Sequence, residues 1–206
     1  MIETAALITV FATLFVIIDP IGLVPMFVAL TQGMDAHERR SIALRACLVA
    51  ISVLILFGLM GEAILGFIGI SMGAFRIAGG ILLFLTALEM LFERRGQRRE
   101  GQKGRGPDPS VFPLGTPLIA GPGTITTIIL LTGQNGGDWA WVAAVLGLMA
   151  LVVIVVFLMF LTAPMFDRLL GKTGINVITR LLGMLLAALA VQFIVDGIAN
   201  LPIFTG

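Results

Sequence analysis

The sequence predicts an all-α polytopic membrane protein with six transmembrane helices, arranged as two inverted three-helix repeats. Of the 206 residues, 58% are hydrophobic and only 12% are charged. The mean hydropathy of +1.08 lies far outside the balance of soluble domains. Apolar runs long enough to cross a bilayer, about 20 residues each, occur six times. Prolines and glycines interrupt the first and the fourth run in a similar way.

The six predicted spans alternate with loops that differ in basic content. The spans cover residues near 4–31, 42–62, 72–92, 111–133, 139–161 and 175–199. Loops after the first, third and fifth spans are basic, whereas the other loops and both termini contain no lysine or arginine. Because basic loops face the cytoplasm, we expect both termini to face outward. The basic loop residues are Arg39, Arg40, Arg45, Arg94, Arg95, Arg98, Arg99, Lys103, Arg105, Arg168 and Lys172.

The N-terminal segment and two tryptophans give further information on membrane topology. The N-terminal segment MIETAALITVFATLF begins with an acidic residue and contains no small-residue cleavage site. It therefore predicts a first membrane span rather than a removed signal peptide. Trp139 and Trp141 lie at the expected outer boundary of the fifth span, a position typical of interfacial tryptophans.

The only long polar stretch, RRGQRREGQKGRGPDPS, separates the first three spans from the last three. We therefore divide the chain into a first three-span repeat at residues 1–93, a flexible basic cytoplasmic linker at 94–110 and a second three-span repeat at 111–206. Since three is an odd number, related halves must have opposite orientations in the membrane.

Two short matches support the relation between the halves. Pro20 and Pro25 have the same spacing as Pro117 and Pro122 in the first span of the other half. FRIAGGILL in the third span resembles TRLLGMLLA in the sixth. The matches fall in corresponding spans and in the same order, which favours an inverted repeat.

The segment DPIGLVP interrupts the first span at Asp19. Proline removes a backbone donor and clashes with the preceding turn, and glycine leaves helical dihedral angles at little cost. Two interpretations of Asp19 are open. A carboxylate near the centre of a span costs roughly 2.5–3.5 kcal/mol and is usually tied to a substrate or ion path. Aspartate before proline is equally a good helix N-cap.

The segment GTPLIAGPGTITT interrupts the fourth span, and Thr116 occupies the position that the proline spacing matches to Asp19. A helix that restarts inside the membrane presents free N–H groups and a positive dipole end, which favour an anion. Broken helices survive at this depth only where protein or a wet cavity satisfies them. We therefore expect the two breaks to meet at a central site, with Thr124 either capping the restart or contacting a ligand.

This inventory of one acid, hydroxyls and helix N-termini suits a small zwitterion. Its carboxylate would contact the freed N–H groups, and its ammonium would contact Asp19 or carbonyls left unpaired by the prolines. Large aromatic side chains do not cluster at either break, which disfavours a large apolar ligand. The expected substrate-binding residues are Asp19, Pro20, Gly22, Leu23, Pro25, Thr116, Gly121, Pro122, Gly123, Thr124, Thr126 and Thr127.

Several functional classes have no support in the sequence. It contains no nucleotide motif, metal-ligand cluster or nucleophile–base pair, so we expect neither an enzyme nor a cofactor. The formal charge of +1 predicts no nucleic-acid partner, because phosphate binding needs a clustered basic face. The single cysteine, Cys47, lies in an apolar run and is interpreted as a packing residue.

Other residues within the spans carry separate expectations. Arg76 and Arg180 occupy matching positions in the third and sixth spans, and we interpret them as a pair of gates, with anchoring as the alternative. Glu89 is expected to reach the inner interface and pair there. The glycines expected to permit close helix packing are Gly79, Gly80 and Gly183.

The segments DPIGLVP, FRIAGGILLFLTALEML and PLGTPLIAGPGTITT resemble the MarC family of six-span inner-membrane proteins, which includes the SnatA neutral amino acid transporter. The resemblance extends over roughly residues 1–200. It implies a multi-pass protein of the inner membrane that carries small neutral amino acids such as glycine and alanine, with proton coupling. The family positions that it carries over to this chain are Asp19, Pro20, Gly22, Pro25, Gly121, Pro122, Gly123 and Thr124.

We therefore expect a secondary transporter that works by alternating access. Its expected partners are a small neutral amino acid, a coupling cation (proton or sodium) and the lipid bilayer, and an oligomer is compatible with the sequence. Two alternatives stay open. One is an exporter of another small metabolite or drug, and the other is a non-transporting membrane scaffold.

Overall fold

A computed structural model describes residues 3–92, 108–135 and 138–201. All regular structure within these ranges is helical. Residues 94–107 of the predicted linker, which include its six basic residues, lie outside the described residues. The side chains of Arg168 and Lys172 are also outside the description. In chain order the helices are α1 (Thr4–Ile18), α2 (Pro20–Leu30), α3 (Ala36–Ile68), α4 (Met72–Leu91), α5 (Ser110–Ile119), α6 (Pro122–Thr132), α7 (Trp139–Leu161) and α8 (Ala163–Ala199).

These helices supply the six predicted spans. Five stretches are each long and apolar enough to cross a membrane, and α5 with α6 forms a sixth that is bent by 54°. The five stretches are Thr4–Leu30, Ala36–Ile68, Met72–Leu91, Trp139–Leu161 and Thr173–Ala199. The all-α polytopic fold class is therefore confirmed, and the predicted spans overlap the observed ones.

Two helices extend beyond their predicted apolar runs for identifiable reasons. The second span begins six residues earlier than predicted because Asp35 and Glu38 form a reciprocal capping box at the start of α3. In α8, the backbone of Gly171 (φ 59°, ψ 173°) separates a first helical stretch from the spanning part, Thr173–Ala199. The capping box thus carries α3 past the apolar core of its span, whereas in α8 a bend at Gly171 follows the additional helical stretch.

Helices α4 and α8, the third spans of the two halves, pack antiparallel at close range. A Cβ added to Gly80 would lie 2.7 Å from the carbonyl oxygen of Ala190, and one added to Gly183 would lie 3.0 Å from the Cβ of Met90. The predicted packing role of these two glycines is confirmed. Gly79 also permits close packing, but its neighbour is Thr126 of α6.

Helices of each half pack mainly on helices of the other half, and the contacts of corresponding helices match. Helix α3 packs on α5 and α6, and its counterpart α7 packs on α1 and α2. Helix α2 packs on α8, and its counterpart α6 packs on α4. This matching is the pattern that an inverted repeat would produce, and the repeat boundaries stay a prediction.

One end of the helix bundle gathers basic residues. Arg45 of α3 donates from Nη1 to Asp108 Oδ2 at 2.7 Å, immediately before α5 begins. Asp108 Oδ1 also accepts hydrogen bonds from the hydroxyl and the backbone N–H of Ser110. These Ser110 hydrogen bonds, and then the Arg45 charge, hold the pKa of Asp108 below its ordinary value. The start of α3 and the start of α5 therefore lie at the same end of the molecule.

The tryptophans at the start of α7 have different surroundings. Trp139 is 75% exposed, as expected of an interfacial residue. Trp141 is 4% exposed, and its indole N–H donates to the carbonyl oxygen of Leu131 at 2.7 Å. The interfacial prediction is therefore wrong for Trp141, because its polar edge satisfies a carbonyl in the last turn of α6.

Candidate functional site

Asp19 forms the first break, between α1 and α2. Its backbone is left-handed (φ 53°, ψ 63°), which ends α1, and Pro20 follows at the first helical position of α2. Its side chain is fully buried and accepts a hydrogen bond from the Gly22 N–H at 3.0 Å. The structure thus shows Asp19 as a helix cap, the second of the two interpretations of this residue.

Gly22 allows the Asp19 carboxylate to take this position. A Cβ on Gly22 would overlap the Asp19 side chain. Leu23 then donates its N–H to the backbone carbonyl of Asp19 at 3.1 Å and continues the helix. The first break is therefore capped by the side chain and the carbonyl of Asp19.

Gly121 forms the second break, between α5 and α6, and it has no side chain to provide a cap. Its backbone is extended (φ −83°, ψ 169°), and Pro122 follows at the first helical position. The first helical hydrogen bond runs from the Ile125 N–H to the Gly121 carbonyl at 2.9 Å. The N–H groups of Gly123 and Thr124 precede that bond, and within the described residues no side chain caps them.

The structure changes the correspondence between the breaks. Both helices restart at a proline in the first helical position, Pro20 and Pro122, which are 102 residues apart (122 − 20). The proline spacing had paired Pro20 with Pro117. Pro117 instead lies inside α5, which is a segment of π-helix with wider turns than an α-helix. Its dihedral angles are non-helical at Thr116. The position equivalent to Asp19 is therefore Gly121 and not Thr116.

A cavity of about 440 Å³ opens beside the second break. Every helix around it belongs to a membrane span. Glu89 is the only charged side chain among its described lining residues, and the exposed Leu82, Leu85 and Pro122 open it to the protein surface. The lining residues are Ile17, Leu82, Leu85, Thr86, Glu89, Pro117, Leu118, Gly121, Pro122, Gly123 and Thr124.

Of the predicted binding residues, the cavity brings together the four consecutive ones from Gly121 to Thr124. Thr116 donates its hydroxyl to the Val111 carbonyl at 3.3 Å. Thr126 packs against Gly79, and Thr127 is fully buried. The predicted residues that do not line this cavity are Asp19, Pro20, Gly22, Leu23, Pro25, Thr116, Thr126 and Thr127.

Thr127 is unusual among the hydroxyls of α6. Its side-chain oxygen is buried and has no hydrogen-bond partner among the described residues. It lies three residues beyond Thr124, hence about one turn deeper along the same helix. A buried hydroxyl without a partner is unfavourable, so Thr127 is a candidate ligand contact.

Glu89 and Thr86 are site residues that the sequence interpretation missed. They are three residues apart on α4 and therefore share a helix face, but only the packing of α4 against α6 brings that face to the second break. Glu89, which we expected to pair at the inner interface, lines the cavity, and that interfacial pairing stays a prediction. Among the described residues, no group of three or more histidine, cysteine or acidic side chains could hold a metal ion.

A second cavity, of about 410 Å³, lies at the other end of α6. Its lining includes Glu62 of α3, Thr132 at the end of α6, and Trp139 of α7. Helix α6 therefore runs from one cavity to the other. Arg76 and Arg180 line neither cavity, and their gating role stays a prediction.

Comparisons with known proteins agree with one another. The family described as MarC family integral membrane protein matches residues 4–202. A membrane protein of Archaeoglobus fulgidus is 40% identical over 196 residues, which cover 92% of this chain and 91% of that protein. The membrane protein YvbG of Bacillus subtilis is 37% identical over 205 residues, 95% of this chain and 96% of its own. The inner membrane protein YhgN of Escherichia coli is 33% identical over 189 residues, which cover 90% of this chain and 92% of that protein. No solved structure matches the chain.

Proposed function

The chain belongs to the MarC family of integral membrane proteins, and we propose that it is a secondary transporter of small neutral amino acids, of the size of glycine or alanine, working by alternating access. The observation that carries the proposal is the uncapped restart of α6 at Gly121, which faces a cavity inside the membrane spans. At the first break, by contrast, the Asp19 side chain caps the restart of α2.

The cavity offers complementary groups for the two ends of a zwitterion. The N–H groups of Gly123 and Thr124, at the positive end of the α6 dipole, suit a carboxylate. The carboxylate of Glu89 in the same cavity suits an ammonium. This assignment moves the ammonium partner from Asp19, as expected from the sequence, to Glu89.

The size and lining of the cavity favour a small side chain. Its volume of about 440 Å³ lies at the lower end of the roughly 300–1,000 Å³ typical of small-molecule sites. Leucines, prolines and glycines surround the polar groups, and aromatic side chains are absent from its described lining. Glycine or alanine would leave room for water, whereas a large drug would meet few surfaces on which to stack.

The two cavities at opposite ends of α6 fit alternating access. A solute that leaves Gly123 and Thr124 would pass the unpartnered hydroxyl of Thr127 before reaching the cavity beside Glu62. Helix α6 is buried along almost its whole length, so the two cavities are separated by packed side chains. Movement of α6 against α4 would open one cavity as it closes the other.

Coupling to a cation follows from the acids near this path. A proton or a sodium ion could compete with the substrate ammonium for Glu89, so that cation and substrate share one carboxylate. Asp19 is the alternative coupling acid that the sequence suggested. Variants that keep the hydrogen-bonding shape but remove the charge separate the two.

The test is uptake of labelled glycine and alanine into liposomes that contain the purified protein, with and without an imposed proton or sodium gradient. Glu89→Gln should lower uptake about tenfold or more, because a charged hydrogen bond contributes about 1.5–3 kcal/mol. Glu3→Gln is the matched control, since Glu3 is exposed and makes no capping hydrogen bond. Gradient-independent uptake would argue against coupling.

Absence of uptake of either amino acid under any gradient would exclude the proposed substrate class. A screen of other small metabolites in the same liposomes then separates the two alternatives. An exporter would accept one of them in a Glu89-dependent manner, and a scaffold would accept none.

A further inference from the structure

A third cavity lies at the basic end of the molecule, away from both transport cavities. Its volume is about 310 Å³, and it lies between the turn that joins α2 to α3 and the turn that joins α7 to α8. Arg39 and Arg40 of α3 provide its basic side, and Met34, Phe160, Leu161 and Pro164 provide its apolar side. Nothing in the transport proposal uses these residues.

Arg39 supplies the observation that points to a ligand. Its Nε is buried, and it has no hydrogen-bond partner among the described residues. A buried donor on a charged group is strongly unfavourable when unpaired. A guanidinium presents its donors in a planar fork that matches the oxygens of a phosphate. An anion with phosphate geometry in the cavity would pair with the Arg39 guanidinium, which lines it, and offset its charge.

The acidic residues near Arg39 have other partners. Asp35 and Glu38 accept each other's backbone N–H groups, at 2.8 and 3.1 Å, in the capping box of α3. Asp108 pairs with Arg45, the one ion pair within the described residues. Among the described residues, neither Arg39 nor Arg40 therefore forms an ion pair of its own.

The apolar side of the cavity distinguishes a lipid from a soluble anion. Phe160 is stacked on Phe27, with ring centroids 4.3 Å apart and planes at 6°, so this wall is firmly packed. Leu158 and Leu161 of α7 are 54% and 42% exposed on a helix that spans the membrane. A ligand whose phosphate reaches Arg39 would have acyl chains beside these leucines.

We propose that this cavity, which is defined by Arg39, Arg40 and the apolar residues Met34, Phe160, Leu161 and Pro164, binds the phosphate headgroup of an anionic phospholipid. The half-buried Arg39 holds the phosphate through its guanidinium, and Arg40, which is exposed, adds charge at the entrance. The acyl chains lie along α7. The site lies at the level where spans α2 and α7 end, which is where headgroups are found.

Native mass spectrometry of the full chain, with phosphatidylglycerol or phosphatidylcholine added, tests the site. The wild-type protein should retain phosphatidylglycerol preferentially, and Arg39→Gln should reduce that retention at least fivefold. Arg40→Gln should reduce it less, and it provides a second reading should Arg39→Gln fold poorly. Arg76→Gln is the matched control, because it removes the same charge from a residue that does not line this cavity and should leave retention unchanged.

Inorganic phosphate is the probe for a soluble source of the same chemistry. Arg39-dependent binding of inorganic phosphate, without preference for phosphatidylglycerol over phosphatidylcholine, would overturn the lipid assignment. Equal retention of the two lipids, or retention that neither the Arg39 nor the Arg40 variant lowers, would also overturn it.

Discussion

The two helix breaks share one plan but differ in what fills them. At the first break, Asp19 is buried and caps α2, and α1 and α2 continue as one 27-residue span. At the second, Gly121 offers no cap, α5 and α6 bend by 54°, and a cavity of about 440 Å³ opens. The side chain at the capping position thus distinguishes a break that is capped from a break that opens into a cavity.

The largest effect should come from opening the first break. Asp19→Ala removes the cap, leaves the half-buried Gly22 N–H unpaired and places alanine in a left-handed conformation. Together these changes should lower the free energy of unfolding by about 3 kcal/mol. Thermal unfolding of the purified protein in detergent measures this loss.

Asp19→Asn is the control for that change, because asparagine can cap and tolerates the left-handed conformation. Its stability should stay near that of the wild type. A stable Asp19→Asn protein that has lost transport would contradict the view that the first break is purely structural, and would place Asp19 on the coupling path.

The second expected effect comes from closing the second break. Gly121→Asp would give α6 the cap that α2 has, so that its carboxylate competes with the substrate for the N–H groups of Gly123 and Thr124. We expect uptake to fall about tenfold, equivalent to about 1.4 kcal/mol. Gly121→Ala is the control, because its Cβ also lies 2.7 Å from the Pro117 carbonyl oxygen but carries no acceptor. Equal losses in both variants would show that crowding, not capping, is responsible.

A smaller and opposite effect is expected for Thr127→Val. Valine has nearly the same shape and removes the buried hydroxyl that lacks a partner, so the unfolding free energy should rise by about 1 kcal/mol. Transport should fall if this hydroxyl contacts the moving solute. A stabilised variant with full uptake would remove Thr127 from the path, and chemical unfolding with uptake assays decides this.

The smallest effect concerns the end of the linker, where Asp108 holds the start of α5. Because its pKa is lowered in the folded protein, its contribution to stability is complete above its ordinary pKa of 3.8 and is lost as the pH falls through the lower folded value. The melting temperatures of the wild type and Asp108→Asn should therefore differ slightly at neutral pH. That difference should vanish in strong acid, and a constant difference would contradict the assignment.

Much of the fold could be predicted because it depends on local chemistry. Three signals act within one helix or between neighbouring residues. They are the long apolar runs, the prolines that follow Asp19 and Gly121, and the spacing of the glycines. The position of Glu89 could not be predicted in this way. Its spacing from Thr86 defines a helix face, but the contact with the second break arises only when α4 packs on α6.

The sequence-based match of Thr116 to Asp19 was wrong for a related reason. Proline spacing is a one-dimensional signal, and it cannot distinguish a proline at a helix start, such as Pro122, from one inside the wide turns of α5, such as Pro117. The interfacial position of Trp141 was wrongly predicted for the same reason, because its partner, the Leu131 carbonyl, belongs to another helix. In each case the missing information is a tertiary contact.

The close contact between α4 and α8 has a consequence for motion. Each half contributes its third helix to this pair, and the pair is interlocked where Gly80 meets Ala190, Gly183 meets Met90 and Gly73 meets Gly197. Close backbone packing of this kind disfavours sliding of the two halves past each other at α4 and α8. In the proposed transport cycle, the bend between α5 and α6 is then the place where a span could change its angle while this pair keeps its packing.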